Sequence, residues 1–117
     1  MRSARVRLED IAEAIEGIVQ LLTGVDLQAF STSWPLQRAV ERGLEIISEA
    51  SRGVHEDQKA AHQSVPWTEI AGIGNILRHE YHRVEPIIVW NITQTHLPNL
   101  AHAVRLMLDD DVNLGEP

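Results

Sequence analysis

Apolar residues recur at helical spacing along most of the chain. Leu8, Ile11, Ala12, Ile15, Ile18, Val19 and Leu22 share one face of a helix predicted over about 4–23, with Glu9, Asp10, Glu13 and Glu16 opposite and Thr23-Gly24 as its stop. A polar link holding Asp26, Phe30 and Thr32 follows. Ser33-Trp34-Pro35 then offers a cap and an early proline for a second helix running to about 53, with Trp34 as a staple at its start. Its stripe of Leu36, Val40, Leu44, Ile47 and Ser51, flanked by Ala39, Gly43, Ile46 and Ala50, is wide enough to serve a core and a neighbour together.

Residues 54–65 carry no periodic apolar face and read as a loop with at most a helical turn. Ser64 and Pro66 announce a third helix, Glu69 sits in its favourable first turn, and Ile70, Ile73 and Leu77 face the core. Gly72 and Gly74 each cost this helix about 1 kcal/mol relative to alanine, which points to close approach of another backbone or a ligand. Pro86 opens a helix whose Ile87-Ile88-Val89-Trp90 is apolar nearly all round, so burial against both its own bundle and a second subunit is expected, with Trp67 and Trp90 as core or dimer contacts. Leu97-Pro98 interrupts it, and Leu100, Ala101, Val104 and Leu108 give a final helix ending near Asp109. Strand alternation and hairpin turns are missing. The pattern predicts an all-α, largely up-and-down bundle of four long helices plus a short or broken fifth: one domain over 1–109, then an acidic, flexible tail over 110–117.

Composition narrows the function. A chain of 117 residues makes one domain, and its lack of cysteine removes disulfides and thiolate metal sites. No run reaches the ~20 apolar residues of a membrane helix, and the opening Met1–Arg7 does not read as a signal peptide, so a soluble cytoplasmic protein is expected. A formal net charge of −7 is the wrong sign for a broad nucleic-acid surface, and no DNA partner is expected; any RNA contact must be local. Asp109-Asp110-Asp111 reads as part of the solvated tail.

One stretch looks built for chemistry. Asn75-Ile76-Leu77-Arg78-His79-Glu80-Tyr81-His82-Arg83 gathers amide, guanidinium, imidazole and phenol on the last turns of the third helix. Asn75 and His79 are one turn apart on one face, with Gly74, Arg78 and Tyr81 along the neighbouring stripe. An imidazole, with an ordinary pKa near 6.5, beside a guanidinium suggests attack on a phosphodiester. As residues alone, His79 also reads as a helix-end histidine balancing the negative pole, and Tyr81 as an amphipathic interface residue. His79 and His82 lack a third ligand nearby, so neither a metal site nor a cofactor is expected. His55, His62, His96 and His102 read as surface or boundary residues, and Glu69 as a first-turn acid or a tuner of the cleft.

Taken together, Arg7-Leu8-Glu9-Asp10-Ile11, Ala39-Val40, Leu44 to Ala50, Pro66-Trp67 with Ile70-Ala71-Gly72, and Trp90 followed by Leu97-Pro98-Asn99-Leu100 resemble the HEPN-fold proteins of the HepT type, the toxin halves of bacterial toxin-antitoxin pairs. The resemblance spans almost the whole chain. The family's active segment reads Arg-Asn, three residues, His, one residue, Tyr, and Asn75, His79 and Tyr81 match it in register. The family's arginine falls on Gly74. Helical side chains lean toward the N-terminus, so Arg78, one turn later, is expected to reach back over the glycine.

The resemblance implies a metal-independent endoribonuclease acting as a homodimer, its motif helices meeting at a composite cleft. His79 would move protons, Arg78 would neutralise phosphate charge, Asn75 would orient His79 or the substrate, and His82 and Arg83 would touch RNA. It also implies a partner, a minimal nucleotidyltransferase antitoxin that silences the toxin by attaching AMP to the motif tyrosine, Tyr81. The alternative is a noncatalytic dimeric module that binds the nucleotidyltransferase, its nuclease activity lost with the arginine at Gly74.

Overall fold

The computed structural model describes residues 4–79 and 85–113, without the side chains of His79 and of residues 111–113. Four helices make the frame: α1 (Ala4–Leu22), α3 (Trp34–Ser51), α5 (Trp67–His79) and α7 (Leu97–Asn113). Three shorter ones, α2 (Leu27–Ser31), α4 (Glu56–Ala61) and α6 (Pro86–Thr95), connect them, and no strand occurs among the described residues. α1 packs between α3 and α7, and α3 packs between α1 and α5. The all-α bundle read from the sequence is the architecture found.

The ends of the elements follow from local chemistry. α1 stops where Gly24 takes φ +76°, a left-handed turn that costs glycine little. The Ser33 hydroxyl accepts from Leu36 N at 3.3 Å to cap α3, and Pro35 occupies the first turn, where its missing N–H is not needed. Pro98 plays the same part at the start of α7, so the break between α6 and α7 is a single residue, His96. α7 runs on to Asn113, four residues past the end expected near Asp109.

The core forms from the predicted stripes. Leu8, Ile11, Ile15 and Ile18 of α1 meet Val40, Leu44 and Ile47 of α3, and Ile70, Ile73 and Leu77 of α5 seal the other side. Val19 departs from expectation, half exposed at the edge of its stripe. The polar link contributes more than its composition suggested. Asp26 caps α2 by accepting from Ala29 N at 2.8 Å, and this five-residue helix inserts Phe30, fully buried, against the Trp90 ring at 5.6 Å between centroids. The loop at 54–65 likewise holds α4 and buries Val54 and Val65 at its two ends.

The tryptophans divide. Trp67 and Trp90 are partly buried against the core, and the Trp67 indole N–H donates to His62 O at 3.1 Å, fixing the start of α5. Trp34 does not act as a staple: 67% of it is exposed, and Arg38 lies over its ring at 5.5 Å. On α6, Val89 is buried while Ile87 and Ile88 remain exposed, so a single chain covers only half of that apolar helix.

Candidate active site

The site is organised by the seam between α3 and α5. Ser48, buried on α3, uses both capacities of its hydroxyl: it donates to Ala71 O at 2.8 Å and accepts from Gly74 N at 3.0 Å. That double bond fixes α5 along α3 at the level of Gly74. A β-carbon at Gly74 would lie 3.2 Å from this hydroxyl and 3.0 Å from Arg78 Nη1. The glycine is therefore where two helices and a guanidinium crowd together, the close approach that its cost within a helix suggested.

Arg78 turns back along α5 by one turn, and its head group fills the space beside Gly74. The geometry matches the reach expected of a long side chain pointing toward the helix N-terminus. Arg78 Nη2 donates to Asn75 Oδ1 at 2.8 Å, so Asn75 orients the arginine. Both residues are exposed, and among the described residues no carboxylate pairs with Arg78. The register of α5 puts position 79, its last residue, one turn beyond Asn75. The His79 side chain, and Tyr81, His82 and Arg83 entirely, lie outside the described residues.

A family model described as "Ribonuclease HepT-like" matches residues 11–107, a span that takes in α2 to α6 whole and most of α1 and α7. The chain belongs to the HepT-like ribonuclease family. A protein of Thermococcus cleftensis named "Probable ribonuclease HepT" is 38% identical over 99 residues, 85% of this chain and 90% of that one. Two proteins whose names read "Putative RNase" are similar as well. That of Methanocaldococcus jannaschii is 32% identical over 106 residues, 91% of this chain and 97% of its own. That of Caldanaerobacter subterraneus subsp. tengcongensis is 33% identical over 111 residues, 95% of this chain and 99% of its own. No solved structure matches the chain.

Within this HepT-like bundle Glu69 stands in the first turn of α5, as its place in the sequence suggested, and faces His96 Nε2 at 3.5 Å. Beyond its own helix backbone, nothing among the described residues lies within 4 Å of where a β-carbon at Gly72 would stand, so the described residues do not make the close approach expected there. Sequence reasoning missed Ser48 and Arg52, whose Nη2 donates to Ala71 O at 3.1 Å. Their spacing of four on α3 was the available signal, but it acquires meaning only once the partner helix and its register are known. Among the described residues no three histidine, aspartate or glutamate side chains gather as a metal site would need. No helix among the described residues is long and apolar enough to cross a membrane.

Proposed function

We propose that this chain is a metal-independent endoribonuclease, the toxin of a toxin-antitoxin pair, and that Arg78 supplies the cation its motif lacks at Gly74. The observation that carries this reading is the Arg78 guanidinium lying beside Gly74, held by Asn75. Family membership and the ribonuclease names of the relatives support it. In the reaction the ribose 2′-oxygen attacks the adjacent phosphorus and the bond to the 5′-oxygen breaks, leaving a cyclic phosphate and a 5′-hydroxyl. His79 takes the 2′-hydroxyl proton or returns one to the departing oxygen, help typically worth roughly 100- to 10,000-fold. Arg78 balances the charge building on the phosphate.

The active form is a homodimer in the cytoplasm. Ile76 on α5 and Ile87 and Ile88 on α6 are large apolar side chains left exposed, and the open flank of Gly72 lets a second α5 come near. A minimal nucleotidyltransferase partner silences the toxin by attaching AMP to Tyr81. The added phosphate carries negative charge to where an RNA phosphate must sit.

The test is cleavage of single-stranded RNA in the presence of a chelator by the parent, His79→Ala and Arg78→Ala proteins. Parent activity lost in both variants supports the reading; activity that survives in Arg78→Ala ends the compensation, and an inactive parent ends the nuclease. A second reading, a noncatalytic module that binds the nucleotidyltransferase, draws on the glycine at the motif arginine. The exchange Gly74→Arg with Arg78→Ala separates the two. Cleavage that appears only in the exchanged protein favours the module, and equal cleavage in parent and exchanged protein favours the nuclease.

A further inference from the structure

We propose that Arg52 is a second phosphate-binding residue of the RNA site, seating the nucleotide next to the scissile one; this rests on the ribonuclease reading above. Arg52 stands at the C-terminal end of α3, and its Nη2 reaches across the seam to Ala71 O. The same carbonyl accepts from Ser48, the same hydroxyl accepts from Gly74 N–H, and Arg78 lies against Gly74. Four short contacts thus link the two guanidiniums, and both lie on the flank of α5 that borders α3. A chain of phosphates laid along that flank would meet Arg52 one turn of α5 before Arg78.

Charge and anchoring together mark this flank. The protein carries 17 acidic side chains against 10 lysines and arginines. Arg5, Arg38 and Lys59 each pair with a glutamate. Arg42, Arg52, Arg78 and Arg105 are exposed without a carboxylate partner among the described residues, and of these Arg52 and Arg78 are the two that neutral oxygens anchor. A guanidinium has five N–H donors, and the bond to Ala71 O occupies one. The rest form a fork suited to two oxygens of a phosphate, held in place before the ligand arrives.

The test uses the full chain with two probes: a 2′-O-methyl RNA oligonucleotide, which binds and cannot be cleaved, and the all-ribose oligonucleotide for kinetics. Arg52→Gln keeps a donor for Ala71 O and removes the charge; Arg52→Lys keeps the charge. The expected result for Arg52→Gln is about tenfold weaker binding at low salt, with the slope of log affinity against log salt shallower by about 0.7. KM should rise with kcat nearly kept, and Arg52→Lys should recover most of the loss. Parent-like binding and slope in Arg52→Gln would overturn Arg52 and leave the ribonuclease standing. Equal losses in both variants, with a lowered Tm, would make Arg52 a brace between helices and overturn the proposal. A parent that neither binds nor cleaves RNA would overturn the ribonuclease reading and this one with it.

Discussion

Arg78 donates to Asn75 from one turn further along the same helix, and the pair lies over a glycine that leaves the guanidinium its room. Removing the arginine as Arg78→Ala should lower kcat/KM for RNA about 100-fold or more, the scale of losing one donor to a developing charge. Because Arg78 is exposed, Tm should hardly move. Asn75→Ala should cost less, since it frees the guanidinium without deleting it. Steady-state cleavage assays beside thermal melts check both.

Gly74→Ala separates stability from activity. Alanine gains up to about 1 kcal/mol over glycine in a helix interior, while its methyl would stand 3.0 Å from Arg78 Nη1 and 3.2 Å from the Ser48 hydroxyl. The free end of Arg78 gives way more easily than the buried serine. Cleavage should therefore fall while stability in urea stays level or rises. A variant as active as the parent would mean that the guanidinium works from elsewhere.

Ser48→Ala removes a donor and an acceptor that tie α3 to α5. The loss should be about 1–3 kcal/mol in urea unfolding, since Ala71 O and Gly74 N each give up a partner at a buried seam. The α5 register would loosen with it, so RNA cleavage should fall more than the population of folded protein does.

Phe30→Ala should be the most damaging of these changes. A fully buried ring packed on Trp90 is lost, a truncation that costs about 3–5 kcal/mol. The variant should unfold at lower urea, and the emission of Trp90 should shift to the red as water reaches the indole.

Ile88→Asp tests the dimer. Ile88 is 44% exposed, so a charge there costs the single subunit little. If the apolar face of α6 lies against a second copy, sedimentation should give a monomer with unchanged helicity and no cleavage. A dimer that persists would place the interface elsewhere.

Much of the bundle was legible because its long helices announce themselves by period. Leu8 to Ile18, Val40 to Ile47 and Ile70 to Leu77 all went inside as their spacing required. α2 escaped because five residues are too few to display a period, and Phe30, standing among polar neighbours, gave no face to recognise. Trp34 was misread for a related reason: the local rule pairs an aromatic with its own helix's apolar stripe, whereas here Arg38 competes for the ring. At the site, the Asn75 and Arg78 spacing was open to reading because both sit on one helix. Ser48 and Arg52 were not, since their partners belong to a helix some 20 residues away and only tertiary register brings them together.

The vacancy at Gly74 and the fold-back of Arg78 interlock like two halves of one move. Restoring a side chain at position 74 while Arg78 stays would set two long cations contending for a single niche, and withdrawing Arg78 first would leave that niche bare. On the proposed ribonuclease reading, a change at either residue alone should lower cleavage, so the two positions are expected to vary as a unit.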